Sequence, residues 1–265
     1  MIRGQYDYIQ TRLQARHGQR PDAALWQRLG ALRDLPLFLQ TARASGLRPW
    51  LEGFTPETSA HRMEQLLRQR FRAEAEHVAR WQPRPWQAAT AWIAHWIDLP
   101  ALGGLLRDER TPEWMLSDPD YGPLAELPRA ARAEALLHSR WAELGAELGT
   151  AGRGQIDLRA AWFTHWRKRW PQGDTRTLTQ VEKLAEALQR PQDSAVSTPA
   201  QDAAQRAQWA TWLNYRFRQM PRAPVTSLLQ LFMLAHDLER LRGELLQRRL
   251  FPSASGTENV HESAA

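Results

Sequence analysis

Cysteine is absent from the 265 residues. This excludes a disulfide framework, a thiolate nucleophile and any cysteine-ligated metal. Lysine is almost absent too: Lys168 and Lys183 are the only two, so arginine carries the net charge of +6 and the pI of about 10.4. No stretch of about 18 to 20 consecutive apolar residues occurs, and the leading MIRGQYDYIQTRLQARHG lacks the apolar block of a secretory signal. A soluble or membrane-peripheral protein is expected. Runs of alternating polar and apolar residues long enough to argue for a sheet are also missing. The expected fold class is therefore all-α, a multi-helix bundle.

What is present is alanine, leucine and arginine, together with 13 tryptophans, in a chain that is 43% apolar. That suffices for one large or two small cores. The basic balance suits an anionic partner, whether nucleic acid, acidic lipid or acidic protein, and does not choose among them. No basic stripe interleaved with stacking aromatics makes a recognisable nucleic-acid motif.

The clearest helix is Pro224 to Pro252. Leu231, Leu234, Leu238, Leu241 and Leu245 follow at steps of three and four and form one apolar seam. Glu239, Arg240, Arg242, Glu244, Gln247, Arg248 and Arg249 lie opposite and predict a solvated face. Pro224 suits the first turn and Pro252 stops the helix after its cationic end. At the other end of the chain, Tyr6, Ile9 and Leu13 make a short apolar stripe beside a second stripe, Tyr8, Arg12 and Arg16, with Gly18 as the cap.

Between these ends the periodicity predicts a helical segment from Leu25 past Pro36 to Ala42. A long helix follows from a Thr55-Pro56 start to about Trp81, and a deeply buried one from Trp86 to Arg107 kinked at Pro100. Residues 110–128, with four prolines and the cluster Ser117-Asp-Pro-Asp-Tyr-Gly-Pro, predict a loop. Helices are expected again at Ala130 to Leu148, Ile156 to Trp170, Val181 to Leu188 and Ala203 to Met220. Residues 191–199 read as a flexible connection and the tail 253–265 as disordered. The expected organisation is one helical domain, 1–252, with subdivisions near 1–110, 111–192 and 200–252.

Signals for chemistry are weak. Gly149 to Gly154 is glycine-rich but lacks the phosphate-loop order and a preceding strand. Glu74-x-x-His77 has the spacing of a di-iron helix, yet its only other copy, Glu258-x-x-His261, falls in the tail. His95 and His165 each stand beside paired tryptophans, Trp92/Trp96 and Trp162/Trp166, whose apolar neighbours predict core rather than a stacking site. No nucleophile elbow or placeable carboxylate dyad occurs. No enzymatic activity, cofactor, metal or small-molecule substrate is expected.

Three ordered segments carry a resemblance. They are Tyr8-Ile-Gln-Thr-Arg12-Leu-Gln-Ala-Arg16-His-Gly18, Asp98-Leu-Pro-Ala-Leu102-Gly-Gly-Leu105-Leu106-Arg107, and Leu228 to Arg249 with His236-Asp-Leu-Glu239-Arg-Leu241-Arg242. Together they resemble the C subunit of prokaryotic V-type ATPases, a relative of the eukaryotic V-ATPase d subunit. Ala101 stands where that family usually has Asn, Pro100 interrupts the segment, and the middle of the chain is short. The resemblance implies a funnel-shaped helical body of similar units with the middle unit reduced. It also implies a non-catalytic role in ion transport, peripheral on the cytoplasmic face of the membrane, with the central stalk and the proteolipid ring as partners. Tyr8, Arg12, Arg16 and Arg242 are the candidate partner contacts. The alternatives are a helical adaptor in an unrelated complex and an arginine-rich nucleic-acid binder.

Overall fold

The computed structural model describes residues 2–107, 110–150, 157–172, 175–189, 199–220 and 223–251. Among them the chain is all-α, with no strand. The order is α1 (Ile2–Gly18), α2 (Ala23–Ala31), α3 (Leu35–Arg43), α4 (Ala60–Trp81), α5 (Arg84–Ala91), α6 (Leu99–Arg107) and α7 (Glu113–Leu116). Then come α8 (Gly122–Ala125), α9 (Arg129–Ala135), α10 (Ala142–Thr150), α11 (Leu158–Lys168), α12 (Thr175–Gln189), α13 (Pro199–Gln219) and α14 (Pro224–Leu250). Tight 3-10 turns occupy Arg48–Trp50, Trp92–Asp98 and Leu136–His138.

Short polar side chains set several boundaries that periodicity alone misplaces. The segment expected to run from Leu25 through Ala42 is two helices, because Asp34 stops the first pattern and caps the second. Its carboxylate accepts the Leu37 N–H at 3.1 Å, with Pro36 in the first turn. Asp22 caps α2 in the same way through the Leu25 N–H at 2.7 Å. The helix expected to begin at Thr55-Pro56 begins at Ala60. Thr55 and Thr58 close a turn of their own, and the Ser59 hydroxyl accepts the Arg62 N–H at 3.2 Å. Pro100 does not kink a helix. The chain tightens into the 3-10 turn at Trp92–Asp98, and Pro100 falls in the first turn of α6, where its missing N–H is harmless. The loop expected at 110–128 contains the one-turn helices α7 and α8.

The described residues fall into two compact units, neither contiguous in sequence: one within 1–13 and 71–235, the other within 14–70 and from 236 onward. The first is built around aromatic rings. Trp92, Trp162, Phe163 and Trp166 are buried, and the Trp96 ring meets Trp162, Phe163 and Phe232 edge-on at 5.1, 6.0 and 5.3 Å. Indole N–H groups are satisfied where backbone carbonyls reach them, Trp92 by Trp162 at 3.1 Å and Trp166 by Ala89 at 2.9 Å. Both tryptophan pairs are thus core, with Trp96 half-buried.

The second unit has an aliphatic core of Leu25, Leu29, Phe38, Leu39, Leu51, Met63, Leu67, Leu238, Leu241 and Leu245. Of the five leucines expected in the α14 seam, all but Leu234 are fully buried. Arg248, expected on the solvated face, is instead buried. It donates to the carbonyls of Leu29 at 2.8 Å and Leu32 at 2.7 Å and lies 4.4 Å over the Phe38 ring. A cation there satisfies the exposed carbonyls at the α2 terminus, where the helix dipole is negative. The tail from 253 and residues 151–154 of the glycine-rich turn lie outside the described residues.

Candidate functional site

A lone carboxylate in an apolar stretch must find cations or donors once buried. Asp98, between Ile97 and Leu99, is completely buried in the first unit. Arg72 of α4 grips it with two bonds, Nη2 to Oδ1 at 2.6 Å and Nε to Oδ2 at 3.2 Å. The Tyr121 hydroxyl donates to Oδ1 at 3.1 Å and the Trp141 indole N–H to Oδ2 at 3.2 Å. The rings of Tyr121 and Trp141 stack at 5.1 Å and 14°. Arg72 also donates to Asp120 at 2.5 Å, and Asp120 accepts from Arg140 at 2.9 Å.

The proline-rich stretch supplies two of these six residues, Asp120 and Tyr121. The Asp118 carboxylate, itself buried, accepts the backbone N–H groups of Asp120 at 2.9 Å and Tyr121 at 3.3 Å. This local turn brings Asp120 to Arg72 and the Tyr121 hydroxyl to Asp98. Gly122 is required next to it, since a Cβ there would lie 2.9 Å from the Leu116 carbonyl oxygen. Buried Arg132 fastens the stretch to α6 through the carbonyls of Leu127 at 2.9 Å and Leu105 at 2.7 Å. Burial alone would make the Arg72 cation less favourable, but Asp98 and Asp120 outweigh it and hold its pKa above the usual value. Burial likewise works against the Asp120 carboxylate, and Arg72 with Arg140 prevails, so its pKa is lowered.

The second unit contains a matching brace. Arg20 donates to Asp237 by two bonds, Nε to Oδ2 at 2.6 Å and Nη2 to Oδ1 at 3.0 Å. Here burial dominates, and the Asp237 pKa is raised despite Arg20. Arg20 is positioned by a close backbone approach: a Cβ on Gly46 would sit only 1.7 Å from the Gln19 carbonyl oxygen. The carboxylates share a sequence context. Asp98-Leu-x-x-Leu102-x-Gly104-x-Leu106 and Asp237-Leu-x-x-Leu241-x-Gly243-x-Leu245 agree at five positions. Each unit therefore holds one bidentate Arg–Asp pair on the same five-residue pattern. The Asp98 carboxylate, accepting four bonds from fixed donors, has no free lone pair for acid–base work and acts as a structural tie, while Asp237 is tied by the two bonds from Arg20.

The four candidate contacts are distributed between the units. In the first, exposed Tyr8 and Arg12 come together, with the guanidinium 4.7 Å from the Tyr8 ring and 4.9 Å from the Trp81 ring. Arg12 makes no ion pair among the described residues. In the second, Arg16 lies half-buried in the last turn of α1, and Arg242 pairs with Glu64 at 2.6 Å while staying half exposed. The braces were missed in the sequence. The recurrence of Asp-Leu-x-x-Leu-x-Gly-x-Leu was the signal that could have found them.

The histidines have structural surroundings. His95 packs on Trp92 at 4.7 Å, and its Nδ1 meets no partner among the described residues. Burial, outweighing the nearby Asp98, pulls its pKa down to about 4. His165 lies 4.4 Å from the Trp92 ring and contacts Glu147 at 3.2 Å and Glu143 at 3.4 Å. His77 is held edge-on to Trp81 at 4.9 Å and meets Arg80 at 3.3 Å. Among the described residues no group of three or more His, Asp or Glu could hold a metal ion. No helix among them is long and apolar enough to cross a membrane. No protein-family model matches the chain, and no curated protein or solved structure does either.

Proposed function

We propose that the protein is a non-catalytic coupling subunit of a rotary ATPase. Within that class it corresponds to the C subunit of prokaryotic V-type enzymes, standing between the central stalk and the proteolipid ring on the cytoplasmic face of the membrane. The observation that carries the reading is the repeated brace. Two of the three segments that bear the resemblance, Asp98 to Arg107 and the terminal helix, each anchor an Asp-Leu-x-x-Leu core to an arginine of a preceding segment. A body made of repeated, internally braced helical units suits a part that must transmit torque without deforming. Bulky close-packed tryptophans add to that stiffness. Tyr8, Arg12, Arg16 and Arg242 are the contacts offered to partners. Arg12, stacked on two rings and without a carboxylate partner among the described residues, is oriented for an acidic group of the stalk or ring.

Affinity purification of the tagged chain from its native membranes tests the reading. Recovery of stalk and proteolipid subunits in stoichiometric amounts is the expected result. Recovery with an unrelated assembly would make it a helical adaptor of that complex, and recovery with nucleic acid in a strongly salt-dependent manner would make it a nucleic-acid binder.

A further inference from the structure

The two braces differ in what secures their carboxylates. Asp98 accepts four bonds from three side chains, whereas Asp237, equally enclosed, accepts the two bonds of Arg20. The segment that carries Arg20 is held differently from the helices around it. No side chain between Leu13 and Leu25 is buried. A stretch without an apolar anchor belongs to the least stable parts of a fold, so the bond from Arg20 to buried Asp237 has a large share in holding residues 14–24 against α14. The charged side chains that act on Asp237 are Arg20, from the turn after α1, and Arg240, one turn along α14. Arg240 lies 4.5 Å over the Trp26 ring of α2. From α4, Glu64 is taken up by Arg242 at 2.6 Å, with Arg68 beside it at 3.7 Å. His17, whose carbonyl accepts the Arg20 N–H at 3.2 Å, and His236 are the histidines of the two joined segments.

We propose that the Arg20–Asp237 pair is an acid-released latch: a proton taken up by Asp237 ends the ion pair, frees Arg20 to turn to water and lets residues 14–24 part from α14. The pair is built for this, since a single guanidinium supplies both bonds and stands closer to solvent than the carboxylate it holds. Burial, outweighing Arg20, raises the Asp237 pKa, so the proton is taken up above the usual carboxylate range. A carboxylate that binds its proton more tightly in the folded chain favours the fold as pH falls, and that contribution is lost as pH rises through the folded pKa. Release therefore opens the latch without unfolding the unit. The Asp98 brace does not share this response, because four bonds from three side chains secure its carboxylate. Arg16 and Arg242 stand on the two segments that the latch joins, so its state sets their spacing. The latch itself does not depend on the rotary reading.

Backbone hydrogen exchange of the full-length protein, corrected for the intrinsic pH dependence of exchange, tests the proposal. The reporters are the Gln19 and Arg20 N–H groups, which donate to the carbonyls of Arg16 and His17. Their protection is expected to fall about tenfold or more between about pH 8 and about pH 5, while that of Leu238 and Leu241 in α14 is unchanged. Asp237→Asn keeps the shape of the side chain without its titration, and is expected to hold one level of protection across that range. His17→Gln and His236→Gln are expected to keep the wild-type change. Equal protection of the wild type at both pH values overturns the proposal. So does a wild-type change surviving in Asp237→Asn, or its loss in either histidine variant.

Discussion

Replacing Asp98 by alanine removes the centre of the first brace, and the structure sets the size of the effect. Arg72 is 5% exposed and would keep only Asp120, while the Tyr121 hydroxyl and the Trp141 indole N–H, both in buried residues, would lose their acceptor. Orphaning one partner of a buried ion pair costs about 3–5 kcal/mol, and each neutral donor left unsatisfied about 1–3 kcal/mol more, with the terms less than additive. A loss of about 5 kcal/mol is expected, a large part of the roughly 5–15 kcal/mol that keeps a domain folded. Asp237→Ala should cost less, about 2–3 kcal/mol, because Arg20 is closer to solvent at 12% side-chain exposure and Asp237 has no comparable ring of donors. Urea denaturation followed by circular dichroism measures both. Arg72→Met/Asp98→Leu should recover part of the loss, since apolar residues of similar size substitute well for a buried pair. A cost below about 1 kcal/mol for Asp98→Ala, or no recovery in the double variant, would refute the view of Asp98 as a tie, because neither fits the unpaired-charge penalty.

Three further expectations concern pH, the core and the surface. His95 is neutral in the fold down to pH about 4 but titrates near 6.5 when unfolded, so its contribution is intact above 6.5 and is lost as pH falls toward 4. That loss is about 2–3 kcal/mol, and His95→Gln should remove this part of the pH dependence in urea titrations run between those values. Leu238, 1% exposed in the second unit, should not tolerate aspartate: lost burial and a buried carboxylate together exceed several kcal/mol, so Leu238→Asp should yield protein without a cooperative thermal transition. Arg242→Glu gives up a half-exposed pair with Glu64 and sets two carboxylates together, a change of about 1 kcal/mol. It should fold normally and assemble more weakly, whereas full assembly would remove Arg242 from the partner contacts.

The helical class was legible because apolar residues at steps of three and four recur throughout, and the α14 leucines lie buried as that spacing demands, apart from Leu234. Boundaries were harder to see. Asp34 and Ser59 end one pattern and begin another by a single side-chain hydrogen bond, which periodicity does not register. Residues 110–128 looked like a loop for their prolines, yet Asp118 folds them into a turn that delivers Asp120 to Arg72 across 48 residues of sequence and Tyr121 to Asp98 across 23. Arg248 looked solvated because it stands between the polar Gln247 and Arg249 in the sequence, and only the arrival of the α2 carbonyls makes its burial favourable. Long-range pairing of this kind is set by tertiary approach, not by spacing along one helix.

The proposed mechanical coupling is tested by the ratio of ions pumped to ATP hydrolysed in inverted membrane vesicles from cells with and without this chain. Deletion is expected to leave ATP hydrolysis running while ion pumping collapses, and adding back the purified protein is expected to restore the ratio. An unchanged pumping ratio in its complete absence would contradict it.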